Sequence, residues 1–167
     1  GFLLPCHPPA EVGNRVAMLG HISGGRLNFG VAASGLPSDW AMFNVDGMSG
    51  QNRDMTREAL ELILKMWTED APWTYKGKFW TVNKPDVMFD FLKPHIKPVQ
   101  APHPPIAVAG LSKGSDTLKL AGERGYIPMS LNLNPAYVSS HWESVEIGAE
   151  RTGRKPSRKD WRLVREV

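Results

Sequence analysis

The stretch Gly110-Leu111-Ser112-Lys113-Gly114-Ser115-Asp116-Thr117 carries the residue types best suited to holding an anion. It joins an apolar strand-like run to a helix-like run, and it is rich in Gly, Ser and Thr. Backbone N–H groups in such a turn, with the positive end of a helix behind them, suit a phosphate. Ser112, Ser115 and Thr117 add hydroxyls, and Lys113 adds a charge. The same residues have a plainer use, because Ser115 or Asp116 can simply cap the helix. Asp116 would repel a phosphate if it pointed inward, so it is placed as a cap facing away. A second group follows a short strand. Ala32, Ala33 and Ser34 are small enough for a flat ring to approach the backbone, and tight core packing asks for the same residues. Asp39 can order the loop that follows. Trp40, Met42 and Phe43 can line an apolar substrate wall or pin that loop. His7, a lone histidine beside prolines, reads first as structural. His21, His95, His103 and His141 show no metal-ligand spacing, and a single cysteine, Cys6, excludes an internal disulfide and any multi-cysteine metal site. No metal is expected.

Alternating strands and helices must position these groups. Phe2-Leu3-Leu4 reads as a buried strand stopped by Pro5. Val12, Val16, Leu19 and Ile22 recur at helical steps over 10–22, ended by Gly24-Gly25. Residues 26–33 read as a second strand, and 34–52 as an irregular excursion. Asp54 to Trp67 is the strongest helix, with Ala59, Leu60, Ile63, Leu64 and Trp67 in its stripe and Leu62 and Met66 widening it. Trp73-Thr74-Tyr75 and Phe79-Trp80-Thr81-Val82 flank Lys76-Gly77-Lys78 as a hairpin. Residues 83–105 contain six prolines and form an extended linker, so 71–105 is an insertion of hairpin and Pro-rich chain. Residues 105–109 form a third core strand. Asp116 to Arg124 is a helix closed by Gly125, and Ile127 to Leu131 a fourth strand. Asn134-Pro135 starts a helix running to about Thr152. Trp161 to Val167 is a fifth strand. This order implies a parallel sheet with helices outside, in one domain over 1–167.

Composition is that of an ordinary globular chain: 167 residues, 41% hydrophobic and 22% charged. The net charge of +3 is a solvated surface, and the basic run 151–159 lacks the interleaved aromatics of a single-strand binder, so no nucleic acid is expected. No apolar run reaches the length of a membrane span, and the first residues do not read as a signal peptide. The lone cysteine fits a reducing cytoplasm.

Three ordered motifs carry a resemblance. Leu4-Pro5-Cys6-His7-Pro8 leads through a helix to Ser23-Gly24-Gly25-Arg26 and Phe29-Gly30-Val31-Ala32. Gly35-Leu36-Pro37-Ser38-Asp39 precedes Val45-Asp46, Arg53 and Glu58. Ile106-Ala107-Val108-Ala109-Gly110-Leu111-Ser112 precedes Leu120-Ala121-Gly122-Glu123-Arg124-Gly125. Together they resemble the luciferase-like flavin-dependent monooxygenases, in the branch that holds limonene and diketocamphane monooxygenases. The resemblance implies a (β/α)8 TIM barrel, an α/β fold. Five core strands would then be part of it, with about two strands expected before Gly1 and at least one after Val167. An open doubly wound nucleotide-binding sheet is the alternative the element order leaves open.

The resemblance also implies a chemistry. FMN, reduced by a separate flavin reductase, would react with O2 to give a flavin hydroperoxide that oxidises a small apolar organic substrate. Gly110, Leu111, Ser112, Gly114, Ser115 and Thr117 would bind the FMN phosphate, and Ala32, Ala33 and Ser34 the ring. His7 would be a catalytic candidate for proton transfer. Asp39, Trp40 and Phe43 would lie at the substrate pocket. Helix 54–67 and its neighbours resemble a homodimer surface, while Ser23 to Arg26 lie away from the chemistry. A deazaflavin-dependent hydride-transfer enzyme of the same barrel, or a non-catalytic flavin-binding scaffold or fragment, would share these motifs.

Overall fold

The computed structural model describes residues 1–93, 96–132 and 134–164. Its contacts divide it into two compact units, Gly1–Leu27 with Ala32–Pro104, and Asn28–Val31 with Pro105–Val167.

The first unit opens with a short strand, β1 (Phe2–Leu3), and a single 3-10 turn over Leu4–Cys6. The expected strand is cut short there because Pro5 has no N–H to give a ladder. Helix α1 (Pro9–Ile22) follows, with Pro9 in its first turn, where the missing N–H costs nothing. It buries Val12, Val16 and Ala17. Those side chains pack on α3 (Gln51–Thr68), which buries Ala59, Leu60, Leu62, Ile63, Met66 and Trp67. The Trp67 indole N–H donates to the Gly13 carbonyl at 3.0 Å, locking the register of the two helices.

The expected irregular excursion at 34–52 holds a helix, α2 (Pro37–Phe43). Pro37 presets the helical φ at its start, and Asn44, at φ 53°, ends it in the left-handed region. A helix this short has no periodicity to read. The hairpin is present as β3 (Trp73–Lys76) against β4 (Thr81–Lys84), with Lys76 opposite Thr81. Its second strand starts later than the aromatic pattern suggests. The amides of Lys78, Phe79 and Trp80 donate instead to the Glu58 carboxylate, at 3.0–3.3 Å. A Cβ at position 77 would lie 2.0 Å from Glu58 Oε1, which explains the glycine. The Pro-rich stretch is not wholly extended, since Met88 and Leu92 form a bridge. Pro94 and His95 lie outside the described residues.

The second unit is a parallel sheet in the order β2 (Phe29–Ala32), β5 (Ile106–Gly110), β6 (Ile127–Leu131), β7 (Arg162–Val164). Phe29 faces Ile106 in register, which sets where β2 begins. The expected strand from Arg26 is therefore shorter. Helix α4 (Asp116–Arg124) ends at Gly125, φ 74°. Helix α5 (Pro135–Glu150) starts as expected, the Asn134 side chain accepting the Ala136 N–H at 3.1 Å. It stops before Thr152, because Thr152 and Arg154 turn aside to donate to the Glu123 carbonyl, each at 3.1 Å. Residues 165–167 of the expected last strand lie outside the described residues.

Candidate functional site

The turn after β5 belongs wholly to the second unit. Residues 111–114 are exposed, and Gly114, at φ 62°, takes the left-handed conformation that lets the chain turn into α4. A Cβ on Gly110 would come within 2.4 Å of Leu118 and 2.9 Å of Ser115 Oγ. The strand end therefore stays close to the helix only as glycine. Ser115 stands at the N-cap position, yet its side chain makes no capping bond. The capping reading of Ser115 therefore fails on geometry. Asp116 is exposed, with Oδ1 2.9 Å from the Lys119 ammonium. The Ser115 side chain therefore leaves the start of α4 without the usual N-cap bond.

The hydroxyls divide unequally. Thr117 Oγ1 donates to the Ala109 carbonyl at 2.6 Å, and Ser115 Oγ lies 2.9 Å from Thr117 Oγ1. The Thr117 proton is already committed, so Ser115 is the donor of that pair. Ser115 is 3% exposed. Both hydroxyls brace the turn from inside, leaving Ser112 and Lys113 on its outer side. Helix α5 adds two contacts that the sequence did not suggest. Gly114 N–H donates to Ser140 Oγ at 3.2 Å, and His141 Nε2 lies 3.1 Å from the Ser112 carbonyl oxygen. Their sequence signal was weak, polar Ser140, His141 and Ser144 sharing a buried face with Trp142, Val145, Gly148 and Ala149.

The second group of predicted residues lies in the first unit. Ser34 is 7% exposed and has φ 60°, an uncommon conformation for a residue with a Cβ. Hydrogen bonds from several directions hold it and its neighbour. Ser34 Oγ donates to Asp39 Oδ2 at 2.7 Å. The Ser34 carbonyl accepts from Asn52 Nδ2 at 2.9 Å and from Trp40 Nε1 at 3.4 Å. Asn52 Nδ2 also reaches the Ala33 carbonyl at 3.1 Å. Asp39 thus orders the turn, as expected. Trp40 lies flat over Gly47, where a Cβ would meet its ring at 2.1 Å, so Trp40 pins the loop. Met42 and Phe43 are 77% and 47% exposed and remain available to line an apolar surface. Asn52 escaped the sequence reading because α3 begins at Gln51, three residues before the expected start at Asp54 and about two turns before its apolar stripe.

His7 packs edge-on against Phe2, ring centroids 5.6 Å apart. Two further histidines meet backbone carbonyls, His21 that of Lys97 at 3.0 Å and His103 that of Pro104 at 2.8 Å. Next to His7, burial pushes the Cys6 thiol above its usual value, and the Asp39 carboxylate adds to the effect. The thiolate is the reactive form. Cys6 is therefore expected to alkylate with iodoacetamide at pH 8 more slowly than free cysteine, and Asp39→Asn to speed it. A rate equal to free cysteine would show that neither effect operates.

Comparison with known proteins fits this arrangement. Residues 1–165 match the model of the luciferase-like monooxygenase family. The chain is 34% identical over 175 residues to 2,5-diketocamphane 1,2-monooxygenase 2 of Pseudomonas putida, covering 99% of this chain and 46% of that protein. It is 30% identical over 165 residues to limonene 1,2-monooxygenase of Rhodococcus erythropolis, covering 96% of this chain and 39% of that one. In structure it resembles the oxygenating constituent of 3,6-diketocamphane monooxygenase from the Pseudomonas putida CAM plasmid, described as a type II Baeyer–Villiger monooxygenase in complex with FMN. The TM-score is 0.85 at 29% identity, covering 98% of this chain and 45% of that chain. The chain spans less than half the length of these relatives. The partial TIM-barrel α/β fold that the motifs imply is thereby supported, and the open nucleotide-binding sheet is set aside. With the motifs in order, the parallel strands in place and residues 1–165 of 167 matching the family model, the chain belongs to the luciferase-like monooxygenase family.

Proposed function

We propose that this chain carries the phosphate-binding part of a monooxygenase that uses reduced FMN and O2 to oxidise a small apolar organic molecule. The observation that carries this reading is the turn after β5, where an exposed loop runs into a helix whose N-cap residue, Ser115, makes no side-chain capping bond. Ser112 and the backbone from Leu111 to Thr117 would hold the phosphate, with Lys113 supplying charge, while Ser115 and Thr117 keep the turn rigid. Ala32, Ala33 and Ser34 would border the flavin ring, where the Asn52 and Asp39 bonds fix the backbone. Phe43 would face the apolar substrate beside the loop that Asp39 and Trp40 order, and His7 would exchange a proton with it. When bound, reduced FMN supplies the electrons for oxygen activation. The protein's part is orientation and the exclusion of water. The partners of this reading are a flavin reductase, met transiently, and a second copy of the chain.

Riboflavin lacks the phosphate, so a paired titration tests the reading. Flavin fluorescence quenching is expected to show tighter binding of FMN than of riboflavin. Changing Ser112 and Ser115 together to Ala removes one outer donor and one internal brace, and it is expected to weaken FMN about tenfold while leaving riboflavin unchanged. Equal affinity for the two flavins in the unaltered chain would sink the assignment. Anaerobic reduction of the FMN complex, followed by oxygen, is expected to consume oxygen. A reduced complex inert to oxygen would point to deazaflavin-type hydride transfer instead.

A further inference from the structure

We infer that His141, on α5, is a positioning residue that presents the backbone of the 111–114 turn to a phosphate. This rests on the flavin-phosphate reading above. The His141 side chain is fully buried, and its Nε2 lies 3.1 Å from the Ser112 carbonyl oxygen. A carbonyl only accepts, so Nε2 carries the hydrogen and donates it. The other ring nitrogen, Nδ1, is buried with no hydrogen-bond partner among the described residues. A histidine serving only to fill space is a poor choice there, because leucine or methionine would fill it without leaving a buried acceptor unmet. What histidine adds is the one bond to the turn.

That bond has a directional consequence. In a planar trans peptide the carbonyl and the following N–H point opposite ways. Drawing the Ser112 carbonyl towards α5 therefore turns the Lys113 N–H away from α5, to the side where Ser112 and Lys113 are exposed. Ser140, the preceding residue, anchors the turn again through the Gly114 N–H at 3.2 Å. Its own hydroxyl proton goes to the Tyr137 carbonyl at 2.6 Å, so Ser140 is itself fixed. The turn is thus held from behind, and one of its amides is aimed forward before any ligand arrives. Preorganised donors of this kind bind an anion without having to reorient.

The test compares FMN with riboflavin in the unaltered full chain and in His141→Leu and His141→Gln. In His141→Leu we expect FMN affinity to fall about tenfold, the scale of one lost hydrogen bond, with riboflavin affinity unchanged. His141→Gln, whose amide N–H2 reaches where Nε2 stood, is expected to recover most of the loss. His141→Asn, whose amide ends near the Nδ1 position, carries the same expectation as leucine and replaces it if the leucine variant does not fold. Loss of affinity for both flavins alike, no loss for either, or a glutamine variant no better than leucine would overturn the inference. If the unaltered chain does not distinguish FMN from riboflavin, the flavin-phosphate reading itself fails and the inference falls with it. If the unaltered chain distinguishes them and His141→Leu does so equally, only the role of His141 is refuted.

Discussion

Gly148→Ala is expected to destabilise the chain by about 3 kcal/mol, although the same change inside a helix ordinarily stabilises by up to about 1 kcal/mol. The reversal comes from where α5 crosses α4. A Cβ on Gly148 would sit 1.8 Å from the Lys119 carbonyl oxygen, and one on Gly122 would sit 1.9 Å from the Val145 carbonyl oxygen. Each glycine meets the other helix's backbone, so no flexible side chain can move aside. The helices would have to separate, and Leu118, Trp142 and Val145, which form a buried cluster with Trp161 packed on it, would lose contact. Gly20, in α1, is the control. Nothing lies within 4 Å of a Cβ built there, and Gly20→Ala is expected to be neutral or mildly stabilising. Denaturant titration of the two variants decides the matter. A Gly148→Ala variant as stable as the parent would mean that the close crossing is not real.

Lys84→Met is expected to destabilise by about 3 kcal/mol, against less than about 1 kcal/mol for Lys65→Met. Lys84 is 3% exposed, and its ammonium donates to the Met66 carbonyl at 2.8 Å and the Glu69 carbonyl at 2.6 Å. Those carbonyls belong to the last turn of α3 and the residue that ends it, where no helical N–H remains to meet them. Methionine fills the space and leaves both unsatisfied. Lys65, by contrast, forms a partly exposed ion pair with Glu69 that water and salt weaken. The pH dependence has a definite sign. Burial, and then the Lys97 ammonium, hold the Lys84 pKa below its ordinary value. The folded chain therefore binds that proton less tightly than the unfolded one. The contribution of Lys84 rises with pH between the lowered value and the unfolded value of about 10.4. The stability gap between parent and Lys84→Met is expected to widen across that window. A gap that is flat or that narrows there would contradict the assignment.

Much of the fold was legible because burial imposes a period. The apolar stripe of α3, the runs at 106–109 and 127–131, and the Asn134-Pro135 start each read directly as the element that forms. The misses share one cause, a local signal overridden by a distant partner. Phe79 and Trp80 look like strand, but the carboxylate of Glu58, about twenty residues back, takes their amides. Helix α2 is too short to show a stripe, and its ends are set by Pro37 and Asn44. Ser140 and His141 lie on α5, twenty-six and twenty-nine residues from the turn they touch, and no spacing rule connects them.

The sequence by itself determined the family and the chemical character of the turn from Gly110 to Thr117. Both depend on residue types in order along the chain: Gly110 through Thr117 after an apolar strand, and Ser34 to Asp39 after another. What only the tertiary structure decided was which of those groups are free to act. Ser115, Thr117 and Trp40 resembled ligand-facing residues in the sequence, yet their polar atoms are engaged in bracing the backbone. Ser112 and Lys113 stay on the outer side of the turn. The physical reason is that a hydroxyl or indole N–H has one proton to donate. Its destination is set by whichever acceptor folding brings within reach, and linear order does not encode that distance.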